Sequence, residues 1–138
     1  MKIIGLDLGS RTCGIAVSDA LGMYAHPLKT VRFEDEDYDT ALDLVLKEIK
    51  ENEIEKIVLG LPKHMNGDIG YRGELSQQFG QALQEESGLE VILWDERLTT
   101  VAAEKLLIES SMRREKRKKV IDQLAAVNIL QAYLDSLH

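Results

Sequence analysis

Short apolar runs separated by turn residues open the chain, a pattern typical of β-strands. Residues 2–8 and 14–18 form the first two runs, and the short polar connection between them favours an antiparallel hairpin. A third strand is expected between Leu28 and Phe33, after Pro27. Three strands in sequence predict a meander.

The pattern then changes to alternating helices and strands. The expected elements are a helix around residues 41–49, a strand at 56–61, a polar loop at 63–70, a helix at 72–86, a strand at 90–94, a helix at 100–109 and a final helix at 117–136. Asp39 or Thr40 is placed to cap the first of these helices, and Thr99 or Thr100 the third. Gly88 is placed to end the second helix.

These elements predict a single α/β domain that spans residues 1–138. Its sheet is mixed and five-stranded, with an antiparallel meander of strands 1–3 followed by parallel strands 4 and 5. Helices cover the two faces of the sheet. The first strand is expected to be central and parallel to the last two.

Composition narrows the class of protein. Of the 138 residues, 30% are charged, and no apolar run approaches the ~20 residues that span a bilayer. We therefore expect no membrane partner, and no secretory leader follows Met1. The single cysteine, Cys13, excludes an intramolecular disulfide and fits the cytoplasm, with the thiol as a small core residue.

The net charge of −7 hides an uneven distribution. Residues 113–119 carry six basic groups and one acid, so this segment has a charge of +5 and the remainder of the chain −12. Such a segment can hold phosphates while the other surfaces stay acidic. The alternative is a solvated connection between two helices.

One carboxylate interrupts the first apolar strand. Asp7 lies between Leu6 and Leu8, and it needs a counterion because desolvating an unpaired charge costs several kcal/mol or more. The candidates are a basic side chain, a helix N-terminus and a metal cation.

Other acidic residues are predicted to reach the same edge of the sheet. Asp95 and Glu96 follow the last strand, at the carboxyl edge where open α/β sheets hold their ligands. Asp122 shares a helix face with the small residues Ala125 and Ala126, which would let that helix approach the sheet. Three convergent carboxylates would suit one or two Mg²⁺ or Mn²⁺ ions and phosphodiester hydrolysis.

Each acidic residue also has a plain structural explanation. Asp122 lies in the first turns of its helix, where it complements the helix dipole by ~0.3–1 kcal/mol. Glu96 is placed to pair with Arg97 or Lys105, and Asp95 is placed as a turn residue. The joint placement of the acids, more than any one of them, favours a metal site.

Four motifs follow one another along the chain. They are Gly5-Leu6-Asp7-Leu8-Gly9-Ser10-Arg11 with Gly14-Ile15-Ala16, Leu61-Pro62-Lys63-His64-Met65-Asn66-Gly67, Asp95-Glu96-Arg97-Leu98-Thr99-Thr100, and Lys119-Val120-Ile121-Asp122-Gln123-Leu124-Ala125-Ala126. Taken together they resemble the YqgF/RuvX family, over essentially the whole chain. The resemblance implies a ribonuclease H-like fold related to the RuvC Holliday-junction resolvases. It also implies a nuclease, first proposed as a junction resolvase and later linked to maturation of the 5′ end of 16S ribosomal RNA.

The resemblance implies roles for three acidic residues. Asp7 is similar to the first-strand metal ligand of ribonuclease H-like nucleases, and Asp122 to the carboxylate on their last helix. The resolvases carry a further Glu on the strand that corresponds to the fourth strand here, where this chain offers Gly60 and no acid. Glu96, with Asp95 as the second choice, is therefore expected to supply that ligand.

Several residues suit contact with nucleic acid. The loop at 63–70 gives backbone freedom near a phosphate, with an ordinary surface turn as the alternative. Arg72, at the start of a helix, either contacts phosphate or is simply solvated. The expected contacts are Asn66, Arg72, Arg113, Arg114, Lys116, Arg117, Lys118 and Lys119.

The expected function is that of a metal-dependent nuclease that processes the 5′ end of precursor 16S rRNA. Branched DNA is the alternative substrate, and a non-catalytic RNA-binding module is the alternative role. Residues 7–12 also resemble the first phosphate loop of actin-like ATPases and sugar kinases, but those proteins need two lobes and this chain supplies one. Both a monomer and a homodimer remain open.

Overall fold

A computed structural model describes residues 1–98 in full, residues 114–122 by their backbone, and residues 123–138 in full. The elements are β1 (Ile3–Leu8), β2 (Thr12–Ser18), β3 (Ala25–Arg32), α1 (Tyr38–Glu51), β4 (Lys56–Leu61), α2 (Tyr71–Ser87), β5 (Val91–Asp95), a single 3-10 turn (Glu96–Leu98) and α3 (Arg114–Ser136). The helix expected at 100–109, with its caps Thr99 or Thr100, lies outside the described residues.

The five strands form one mixed sheet in the order β3-β2-β1-β4-β5. β1 pairs antiparallel with β2 and parallel with β4, and β4 pairs parallel with β5. These pairings confirm the predicted meander and the central first strand. They also bring the carboxyl ends of β1, β4 and β5 to the same edge of the sheet.

The core has two layers, one on each face of the sheet, because successive side chains of a strand point to opposite faces. Ile4, Leu6 and Leu59 pack with residues of α1 and α2 on one face, whereas Ile3 and Val58 pack with α3 on the other. Each fully buried side chain of this size stabilises the fold by about 1.5–3 kcal/mol. The alternation places Asp7 on the face that α3 covers.

Close contact between α3 and the central strand depends on small residues. A Cβ atom added to Gly5 would lie 2.6 Å from Leu130 Cβ and 3.1 Å from the Ala126 carbonyl oxygen. Ala126 is fully buried. The predicted close approach of the last helix to the sheet is therefore confirmed.

Several element boundaries and one helix cap differ from the prediction. β2 begins at Thr12 instead of residue 14, and β5 is shifted by one residue to Val91–Asp95. β3 begins at Ala25 and includes Pro27, because it is the outer strand and the β2–β3 register shifts beside this proline, so a missing backbone donor is tolerated there. The N-cap of α1 is Asp37, which accepts from the Thr40 backbone nitrogen at 3.2 Å, and neither Asp39 nor Thr40 takes that role. The last helix begins earlier than expected, at Arg114.

Other expectations hold. β4 has the predicted limits, and Gly88 ends α2 in the left-handed conformation at φ 72°. Cys13 is fully buried, and burial, followed by the charge of Asp7, raises the pKa of its thiol well above the ordinary value.

No helix within residues 1–98 and 114–138 is both long and apolar enough to cross a bilayer.

Candidate active site

Asp7 and Glu96 meet at the carboxyl edge of the sheet. Asp7 lies near the end of β1, and Glu96 opens the 3-10 turn that follows β5. Both side chains are half-buried, and their carboxyl groups are hydrogen bonded to each other. Since β4 separates β1 from β5, Glu96 reaches across a whole strand to make this contact.

Gly60 on β4 makes that reach feasible. A Cβ atom at Gly60 would lie 3.1 Å from both Cγ and Cδ of Glu96, and 2.7 Å from Ile129 Cδ1. The absent side chain on β4 therefore leaves the space that the Glu96 side chain occupies. Sequence reasoning noticed the lack of an acid on this strand but missed this role of the glycine, because it depends on the register of β4 and β5.

The carboxyl pair has unusual protonation. Burial, first, and the charge of Asp7, second, raise the pKa of Glu96 to about 8, and its hydrogen bond with Asp7 adds to the rise. The positive charge of Arg72 acts in the opposite direction. The pair therefore retains a proton at neutral pH, because two like charges in contact cannot both ionise cheaply.

Arg72 joins three elements beside this pair. Its guanidinium donates to the Leu8 carbonyl oxygen at 3.2 Å and to the Tyr38 hydroxyl at 3.2 Å, which links α2 to the end of β1 and the start of α1. The residue is half-buried, so it is more than a solvated residue at the start of a helix. Leu8 is the neighbour of Asp7, and Arg72 thus fixes the backbone that carries the first carboxylate.

Asp95 has a different partner from Glu96. Its carboxylate accepts from Arg97 Nη2 at 2.7 Å and Nε at 3.1 Å, and Lys63 Nζ lies 3.8 Å away. Hydrogen bonding from Arg97 is the main cause that lowers the pKa of Asp95 to about 2. Arg97 therefore pairs with Asp95, whereas Glu96 lies against Asp7.

Asp122 belongs to α3, one helical turn before Ala126, whose backbone lies over Gly5 of β1. The Asp122 side chain falls outside the described residues, so its meeting with Asp7 stays a prediction. Within the described part of the chain, no group of three or more His, Cys, Asp or Glu side chains is arranged for a metal ion. The described site thus contains two of the three expected ligands.

The expected nucleic-acid contacts fall into three groups. Asn66 lies in an exposed turn and exchanges two hydrogen bonds of 3.0 Å with Asp68, so its side chain shapes the loop. Arg113 lies outside the described residues, and the side chains of 114–119 do so as well, although their backbone forms the first turns of α3. Arg72 points to the end of β1 as described. These contacts remain predictions.

Comparison with known proteins gives a consistent result. The family model described as "RuvX: Holliday junction resolvase" matches residues 1–136. A protein of Oceanobacillus iheyensis is 56% identical and covers 98% of both chains, and one of Bacillus subtilis is 52% identical over the full length of both. Both relatives carry the name "Putative pre-16S rRNA nuclease".

Solved structures share the fold. Thermus thermophilus RuvC in complex with a Holliday junction superposes with a TM-score of 0.64 at 13% identity, covering 99% of this chain and 96% of that one. The fowlpox virus Holliday junction resolvase gives a TM-score of 0.56 at 15% identity, with both chains fully covered. At these identities the likeness concerns the fold, and it confirms the expected ribonuclease H-like architecture.

Proposed function

The chain belongs to the RuvX family and is a hydrolase of the nuclease class, and on that premise we propose that it cleaves phosphodiester bonds with the help of a divalent metal. Asp7, Glu96 and Asp122 are the proposed metal ligands. The observation that carries this proposal is the contact between the Asp7 and Glu96 carboxyl groups.

The donor set fits a hard divalent cation. Mg²⁺ and Mn²⁺ prefer carboxylate oxygens, and a cation between two carboxylates relieves the repulsion that holds a proton on Glu96. Asp95 fits this role less well, because Arg97 and Lys63 already neutralise it. We therefore place Glu96 ahead of Asp95 as the second ligand, and Asp122 as the third.

The residues of the carboxyl pair and its surroundings have different roles in the proposed reaction. When bound, a divalent cation supplies positive charge that activates water and stabilises the negative charge developing on the phosphate. Glu96 gives up its proton when it becomes a ligand, so binding depends on pH. Arg72 holds the end of β1, and with it Asp7, at a fixed position relative to Glu96.

The proposed substrate is precursor 16S rRNA, cut at its 5′ end. The names of the relatives from Oceanobacillus iheyensis and Bacillus subtilis support this choice. Basic residues in the first turns of α3, with Asn66 in the loop after β4, are the proposed backbone contacts. Such contacts position a strand without reading its sequence. A four-way DNA junction is the second candidate, supported by the family description.

A cleavage assay with two substrates tests the proposal. Precursor 16S rRNA and a four-way DNA junction are incubated with the protein, with Mn²⁺ or with a chelator. We expect Mn²⁺-dependent cleavage of the RNA at the 5′ end, and loss of at least a hundredfold in Asp7→Asn. Preferred cleavage of the junction would identify a resolvase, and binding without cleavage of either substrate would identify a non-catalytic module.

A further inference from the structure

We propose that a cavity between the loop after β4 and the start of α2 binds one unpaired nucleobase of the substrate strand. This inference rests on the proposed function, because it assigns a subsite to the same active site. The cavity is about 340 Å³ in volume, at the lower end of the range for small-ligand sites. It is lined by Pro62, Lys63, His64 and residues 70–73.

Two glycines give the cavity its shape. A Cβ atom at Gly70 would lie 2.5 Å from His64 Nε2, and one at Gly73 would lie 2.7 Å from the Pro62 carbonyl oxygen. The bare backbone at these positions lets the loop fold back onto the first turn of α2. The imidazole of His64 therefore packs directly against Gly70.

The lining suits a flat, uncharged ring. His64 and Tyr71 both line the cavity and are both exposed, and Tyr71 keeps 62% of its surface accessible. Its hydroxyl donates to Glu36 Oε1 at 2.6 Å, which fixes the phenol ring. Unpaired bases stack on aromatic side chains of this kind. The negative charge of the Glu36 carboxylate would repel a phosphate beside Tyr71. Lys63 and Arg72 also line the cavity, but Lys63 lies 3.8 Å from Asp95 and Arg72 donates to Leu8 and Tyr38, so neither charge is reserved for a phosphate in the cavity.

The cavity lies next to the carboxyl pair. Arg72 lines it and also donates to the carbonyl oxygen of Leu8, the neighbour of Asp7. A base held in the cavity therefore belongs to a nucleotide close to the bond that is cut. A base inside a duplex is stacked between its neighbours and paired with the opposite strand, so it cannot enter the cavity. The cavity therefore selects substrates that are single-stranded beside the cleavage position.

Fluorescent oligonucleotides test this inference without any cleavage. Single-stranded RNAs with 2-aminopurine at successive positions, and the same RNAs in a duplex, are titrated with the protein in the presence of a chelator. We expect quenching at one position of the single strand and none in the duplex. His64→Ala and Tyr71→Ala should each weaken single-strand binding by about tenfold, the effect of losing one stacking partner.

The chain offers matched controls. Tyr24 is 63% exposed and His26 is also exposed, and both lie on the β2–β3 side of the sheet. Tyr24→Ala and His26→Ala should leave binding unchanged, and Tyr71→Phe, which keeps the ring, should stay within about twofold of the native protein. Thermal melting of each variant verifies that it folds.

The outcomes separate this inference from the proposed function. If the native protein binds single strand and duplex equally, or if His64→Ala and Tyr71→Ala bind like their controls, the nucleobase subsite is wrong even when RNA is cleaved. If position-specific quenching occurs and depends on both residues, the subsite stands even when no substrate is cleaved.

Discussion

At the scale of single residues, the site depends on two neighbouring strands: a missing side chain on β4 leaves room for the carboxyl group that follows β5. β4 has Gly60 at the position where the resemblance implied an acid, and the space left by its missing side chain admits Glu96 from the end of β5. The carboxyl group thus reaches Asp7 from a different strand. Asp7 and the acids after β5 were predicted from sequence because charges interrupt or follow apolar runs. Glu96 was already expected ahead of Asp95 from the sequence. The pairing of Arg97 with Asp95 rather than with Glu96 required the structure, and it adds a physical reason for that order.

Gly60→Ala tests the space that Glu96 occupies. The new methyl group would meet Glu96 and Ile129, so we expect a loss of about 1–3 kcal/mol in the free energy of unfolding and at least a tenfold loss of cleavage. Urea denaturation and the cleavage assay measure the two effects. Gly80→Ala is the control for packing alone, because its methyl group would also be crowded, 3.2 Å from Leu59 and 3.3 Å from Val91, but would meet neither carboxyl group, so its cleavage should stay at the native rate. Native activity in Gly60→Ala would contradict the account.

The protonation of Glu96 predicts how stability depends on pH. Its pKa rises from 4.5 to about 8 on folding, so the folded protein keeps a proton that the unfolded chain releases. Stability of the metal-free protein should therefore fall between pH 4.5 and about 8 and level off above that. Glu96→Gln should remove this decline, whereas the exposed control Glu86→Gln should keep it. Thermal unfolding from pH 4 to 9 in a chelator measures the effect, and identical profiles for the native protein and Glu96→Gln would refute it.

At the scale of elements, the carboxyl edge is assembled by strand order and by contacts between helix starts and strand ends. Strand order could be predicted, because the change from a meander to alternating strands and helices constrains the topology. The α1 cap was harder to predict, because Asp37, Asp39 and Thr40 all have capping side chains and only backbone geometry selects Asp37. The bonds of Arg72 to Leu8 and Tyr38 could not be predicted, since they join residues 64 and 34 positions apart.

Arg72→Lys tests whether this arginine positions the site or binds substrate. Lysine keeps the charge but cannot donate to the Leu8 carbonyl and the Tyr38 hydroxyl together. We expect kcat to fall about tenfold with little change in KM. Tyr38→Phe, which removes one of the two bonds, should cost about 0.5–1.5 kcal/mol of stability and leave kcat near the native value. A raised KM with unchanged kcat in Arg72→Lys would instead indicate a phosphate contact.

At the scale of the whole molecule, charge is separated along the chain. The net charge is −7, yet residues 113–119 are strongly basic. Residues 114–119 of this segment form the first turns of α3, the helix that also carries Asp122. Sequence was sufficient to find this segment, because charge runs are visible in composition. Its contact with a substrate is a property of the complex, which neither the sequence nor the isolated fold contains.

The basic segment predicts a salt dependence. Replacing Lys116, Lys118 and Lys119 by alanine should weaken RNA binding at low salt and reduce the slope of log affinity against log salt by about 2, since each phosphate contact on a single strand contributes ~0.7. Lys47→Ala with Lys50→Ala, both exposed on α1, is the matched control and should change neither value. Equal slopes for the triple variant and the native protein would show that the segment is only solvated.

Calorimetric titration with Mn²⁺ tests the central claim, that Asp7 and Glu96 hold a divalent cation. At pH 7 we predict one or two bound ions with release of a proton, seen as a heat that depends on the ionisation enthalpy of the buffer. Asp7→Asn and Glu96→Gln should each lose at least tenfold in affinity, while Asp95→Asn and the exposed control Asp43→Asn should bind as the native protein does. Native Mn²⁺ affinity in Glu96→Gln, or lost affinity in Asp95→Asn with Glu96→Gln unaffected, would contradict the account.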